Sequence, residues 1–110
     1  MDEQVIPILH TANAANAVTW YERIGFQKEW EHRFEPNLPA FVSVARGGVR
    51  IYLSEHKGDA RADTLVYFWV RDVFAVAKDF QVEVNQQPWA DEIELRDPDG
   101  NRLRIGTTKA

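Results

Sequence analysis

One order of elements occurs twice in this chain, and few folds accommodate it. In the first half, Val5-Ile6-Pro7-Ile8-Leu9 reads as a strand. Pro7 cannot donate to a central ladder, so this strand belongs at a sheet edge, or serves as an arm reaching to a partner. Asn13 or Asn16 then caps a helix running to about Ile24, with Ala14, Ala17, Val18, Tyr21 and Ile24 at the spacing of one apolar face. Gly25 ends it, and Phe26 to His32 suits a second strand. Phe41-Val42-Ser43-Val44 and Val49-Arg50-Ile51-Tyr52-Leu53 form a hairpin through Arg46-Gly47-Gly48. The polar stretch from His56 to Asp63 is the expected linker.

The second half repeats that order. Leu65 to Val70 is a continuous apolar run, expected to be a strand buried on both faces. Asp72 caps a short helix through Phe80, with Val73, Val76, Ala77 and Phe80 on one side. Val82-Glu83-Val84 is a candidate strand, and Gln86-Gln87-Pro88-Trp89 a bend. Ile93-Glu94-Leu95 and Arg102-Leu103-Arg104-Ile105 close a hairpin around Asp97-Pro98-Asp99-Gly100. We therefore expect an α+β fold: one domain, 1–110, of two β-α-β-β-β modules at about 4–55 and 64–107. Neither module can cover both faces of its strands alone, so the two are expected to pack together.

At 110 residues the chain supports one modest core, and a deep private pocket would compete with it. A cleft between two copies avoids that conflict. Cysteine is absent, which excludes disulfides, thiolate nucleophiles and thiolate metal sites. A formal charge of −4 makes nucleic acid and anionic membrane poor partners. That charge serves solubility or a bias towards cationic ligands. No apolar run approaches the roughly 20 residues that span a bilayer, and no leader pattern opens the chain, so cytoplasmic residence is expected.

The aromatic residues carry the binding chemistry. Trp89 follows a proline at a bend among polar and acidic neighbours, an unusual place for core, and Phe41 opens a strand after a proline-bounded loop. Trp20 and Trp69 read as core or interface, and Trp30 as neither in particular. Acids stand near these rings. Glu29, Glu31 and Glu35 precede Phe41, and Asp59 and Asp63 lie in the linker. Each alone is an ordinary surface charge, but several at a groove rim would draw in a cation. Asp91, Glu92 and Glu94 read as a solvated strand face. There is no Gly-x-Ser-x-Gly elbow and no phosphate-cradling glycine loop.

Three features together resemble the vicinal oxygen chelate superfamily, which includes glyoxalase I, extradiol dioxygenases and bleomycin resistance proteins. They are Val18-Thr19-Trp20-Tyr21-Glu22-Arg23-Ile24-Gly25-Phe26, Asp97-Pro98-Asp99-Gly100-Asn101, and the strand order between them. Ile6-Pro7-Ile8-Leu9, Trp69-Val70-Arg71, Gln87-Pro88-Trp89 and Glu94-Leu95-Arg96-Asp97-Pro98 are similar to the bleomycin resistance branch. The segment 80–86 is shorter than in that branch. The resemblance implies that the two modules form a curved mixed sheet with the helices outside, in a homodimer whose N-terminal strands either exchange or stay in place. In its grooves Phe41 of one copy and Trp89 of the other would sandwich a flat heteroaromatic ring. Trp69, Glu35 and Asp63 complete the expected ligand-binding set.

The superfamily's enzymes chelate a divalent metal with His and Glu. Carried over by these motifs, the ligand positions fall on Ile6, Tyr52, Leu65 and Arg104, none of them a plausible donor. His10, His32 and His56 read as surface, loop or edge residues. The expectation is therefore a binding protein with no cofactor, no metal and no catalysis, capturing a cationic or planar antibiotic of the bleomycin kind. The alternatives are a metal-dependent lyase, dioxygenase or transferase of the same superfamily, and a dimeric scaffold without a small ligand.

Overall fold

The computed structural model describes residues 3–109; the outermost positions of the expected 1–110 span lie outside the described residues. Its elements run β1 (Ile8–His10), α1 (Ala14–Glu22), β2 (Gln27–His32), β3 (Phe41–Arg46), β4 (Val49–Ser54), β5 (Leu65–Trp69), α2 (Val73–Phe80), β6 (Asn85–Gln86), β7 (Ala90–Arg96) and β8 (Arg102–Thr108). Each module makes its own four-stranded mixed sheet, ordered β1-β4-β3-β2 and β5-β8-β7-β6. In both, the first strand runs parallel to the last. The repeated order seen in the sequence is thus a repeated topology.

Local signals account for most boundaries. Asn13 caps α1, its side chain accepting from the Asn16 amide, and Asp72 caps α2 by accepting from Phe74 and Ala75. The helix α1 closes at Glu22, short of Ile24, and Gly25 turns the chain at a φ of +85° that favours glycine. Pro7 precedes β1, an edge strand, and its carbonyl accepts from the Tyr52 amide.

Each helix covers one face of its sheet. Ala14, Ala17, Tyr21 and Ile24 are buried with Val42, Val44, Ile51 and Leu53; Val73, Val76 and Ala77 are buried with Ile93, Leu95, Leu103 and Ile105. Removing a large apolar side chain from water contributes roughly 1.5–3 kcal/mol each. Phe26 and Phe68 meet edge-to-face at 5.8 Å and join the two halves into one core. A polar tie runs beside them. Buried Asp97 accepts from the Tyr21 hydroxyl at 2.8 Å, from the Asn101 side chain at 2.9 Å, and from the Asp99 and Asn101 amides. Burial, reinforced by the Asp97 charge, pushes the Tyr21 phenol well above its ordinary range.

Two expectations fail. The run from Leu65 to Val70 is not buried on both faces: Leu65, Tyr67 and Trp69 are 43%, 37% and 50% exposed, while Phe68 faces the core. Only one helix covers this sheet, so alternate residues of an apolar strand stay uncovered in the single chain. For the same reason Trp69 is not core. Val82-Glu83-Val84 is not a strand either. It leaves α2 through Gln81, at a φ of +56°, and pairing with β7 begins only at Asn85.

Candidate functional site

The faces turned away from the helices carry the site chemistry. On the first sheet, cross-strand pairing sets Trp30 beside Ser43, Ser43 beside Tyr52, and Tyr52 beside Ile8. The next row holds His32, Phe41 and Ser54. Ser43 is fully buried and small, so the aromatic rings lean over it. Trp30 stacks parallel to Phe41, centroids 6.0 Å apart and planes 11° apart, and Tyr52 closes against both at 5.3 and 5.2 Å. Trp30 and Tyr52, with Ile6, Glu29 and Arg50, line an open cavity of about 660 Å³.

A bulge supplies its charged wall. Pairing steps from Lys28–Val44 to Trp30–Ser43, leaving Glu29 as the extra residue. Glu29 accepts from the Ser43 hydroxyl at 2.7 Å and takes a two-pronged contact from Arg50 at 2.6 and 2.7 Å. Arg50, then Ser43, holds the Glu29 carboxyl down at about 2, against the opposing effect of desolvation. Arg50 also donates to the Gln4 side chain at 2.9 Å.

The second sheet's open face is mixed. Tyr67, Arg104 and Glu94 form one row, and Trp69, Gly106, Glu92 and Asn85 the next. Gly106 has to be glycine for this: a Cβ there would lie 2.2 Å from the Tyr67 hydroxyl oxygen and 3.1 Å from the Trp69 ring. The Tyr67 hydroxyl donates to Glu92 at 2.7 Å, and desolvation followed by that contact pushes the phenol to about 12. Glu94 is held below the usual carboxylate range, first by Arg102 and also by Arg104. Trp89, 61% exposed, lines a cavity of about 340 Å³ with Gln87, Glu92, Glu94 and Arg104.

The residues singled out from sequence are therefore divided. Phe41 sits in the aromatic cluster of the first sheet, while Trp89 and Trp69 stand on the second, Trp69 at 4.9 Å from Tyr67. Within one chain Phe41 and Trp89 do not share a cavity. Glu35 is exposed in the loop before β3, and Asp63 is exposed at the end of the linker, 3.1 Å from Arg96. Sequence reasoning left Trp30 unassigned and gave no binding role to Tyr52, Tyr67 or Arg50. Alternation along β4 is a local signal for Tyr52, whereas the continuous apolar run of β5 offers none for Tyr67, and the neighbours of both depend on register.

The four metal-ligand positions split as well. Ile6 and Tyr52 line the first cavity; Leu65 and Arg104 lie on the second open face, with Arg104 3.1 Å from Glu94. An alkyl pair, a phenol and a guanidinium do not make the donor set of a divalent cation. Among the described residues, no three His, Cys, Asp or Glu side chains gather at metal-binding distance. No helix among them is long and apolar enough to cross a membrane.

Paired β-α-β-β-β modules with open, aromatic sheet faces define a class of fold that similar proteins share. A family described as "Glyoxalase superfamily protein" matches residues 1–110, and the chain belongs to that superfamily. Among solved structures, a bleomycin-binding protein complexed with bleomycin superposes with a TM-score of 0.77 at 18% identity, covering 98% of this chain and 100% of that one. A bleomycin resistance determinant encoded on transposon Tn5 gives 0.78 at 17%, over 99% and 100%. An antibiotic binding protein from Streptomyces sp. CB03234 gives 0.77 at 18%, over 99% and 98%. At such identities the likeness is one of fold. The search of curated proteins finds no match.

Proposed function

We propose that this protein captures a planar, cationic small molecule of the antibiotic kind, without making or breaking a bond in it. The observation that carries the reading is the Trp30–Phe41–Tyr52 cluster beside an open cavity of about 660 Å³. Aromatic faces hold flat or cationic groups at roughly 0.5–2 kcal/mol per contact beyond area burial. The formal charge of −4 favours a cationic ligand over an anionic one. Solved structures of similar fold include one described as a bleomycin-binding protein and one described as an antibiotic binding protein. The donor chemistry at Ile6, Tyr52, Leu65 and Arg104 favours holding over Lewis-acid activation.

In this reading a second copy closes the groove. Phe41 of one copy and Trp89 of the other take the ring between them, Trp69 extends the wall, and Glu35 and Asp63 add negative field at the rim. Such a homodimer needs no cofactor. Titrating bleomycin, and separately the planar cation acridine orange, against intrinsic tryptophan fluorescence tests it. Saturable quenching is expected, with Phe41→Ala and Trp89→Ala each weakening binding at least tenfold. If neither compound gives a saturable response, the capture reading is wrong.

A further inference from the structure

A third cavity, of about 330 Å³, opens where the two modules meet. Pro7, Val49, Ile51, Val66 and Phe68 give it apolar walls, and Tyr67 stands at its edge. Ile51 and Phe68 are core side chains, 1% and 7% exposed, so the cavity reaches the seam between the halves. Its volume falls in the roughly 300–1,000 Å³ range of small-molecule sites. The recess opens to solvent and its lining is as polar as it is apolar, so an occupant would meet apolar walls and polar atoms together.

Its position suggests which one. Gln4 and Arg50 line this cavity and also the aromatic one, so the two compartments share a wall. That wall is held by the Arg50 contacts to Glu29 and Gln4. A guanidinium carries five N–H groups in a planar fork. Arg50 uses three of them within the wall, leaving donors for a ligand that crosses it.

We infer that the junction cavity is the second compartment of the binding site, and that the ligand is amphiphilic. Its planar head lies over the Trp30–Phe41–Tyr52 cluster that carries the capture reading, and its apolar chain enters between the modules past Arg50. The head-group half of this inference rests on the capture reading above; the chain-binding half has its own test.

Acridine orange and its 10-nonyl derivative share one planar cation and differ chiefly in an apolar chain. The nonyl compound is expected to bind at least tenfold more tightly. Gly48→Phe should erase that gain, because Gly48 lines the junction cavity and a Cβ there meets nothing within 4 Å, so the ring has room without disturbing the fold. Val66→Phe, from the opposite wall, should do the same. In both variants acridine orange itself should bind within twofold of the parent protein. Tyr52→Ala should weaken both dyes alike and leave their ratio intact. If acridine orange binds with no advantage to the nonyl form, or if the advantage survives both cavity-filling variants, the junction compartment is refuted while capture stands. If acridine orange fails to bind at all, the amphiphile inference falls together with the reading beneath it.

Discussion

Glu29 shows how much one inserted residue decides. Strict alternation along β2 would set it on the opposite face from Trp30. The bulge brings it instead to Ser43 and Arg50, on the ligand side. Its carboxyl is held at about 2 in the folded protein, against an ordinary 4.5. A depressed folded value means the stabilisation is fully present above pH 4.5 and is lost as pH falls towards 2. Urea unfolding of parent and Glu29→Gln should therefore show a stability gap at pH 6 that closes between about pH 4.5 and 2. A gap that stays constant with pH would show that the pair contributes nothing through ionisation.

At the level of elements, helix α1 and the β7–β8 turn are joined across the modules by the Tyr21–Asp97 hydrogen bond. Asp97 keeps three further donors without it, so removing the hydroxyl takes one bond from a satisfied carboxylate. Tyr21→Phe should cost about 1.5–3 kcal/mol in urea unfolding, in line with a hydrogen bond to a charged group. A loss below about 0.5 kcal/mol would mean that packing alone holds the modules together. Most elements were legible beforehand because their signals are local. Asn13, Gly25 and Asp72 mark helix ends, and Gly47-Gly48 and Asp97-Pro98-Asp99-Gly100 mark hairpins. The strand β5 was misread for a matching reason. An uninterrupted apolar run reports that its residues avoid water, but not whether a helix of the same chain or another surface does the covering.

For the whole molecule, a radius of gyration of 14.5 Å exceeds the roughly 13 Å of a compact chain this long. The extents of 48 × 33 × 21 Å describe modules placed side by side, with their aromatic faces uncovered. Trp30, Tyr67 and Trp69 stand 44%, 37% and 50% exposed on the open sheet faces, where the proposed second copy would cover them. Sedimentation velocity should give a particle of about twice 12.7 kDa. Trp69→Glu, which would place a charge in the proposed interface, should return it to the single-chain mass. A parent protein that sediments at 12.7 kDa would rule out the shared groove.

Sequence alone determined the doubled β-α-β-β-β order and the caps and turns that bound it. Each of those depends on residue type or on neighbours within a few positions. Tertiary structure decided which rings meet. Trp30, Phe41 and Tyr52 come from three strands, Glu29 reaches them only through a bulge, and the Arg50 wall draws on Gln4, 46 positions away. Register and chain crossing set those distances, and neither is written in any local run of residues.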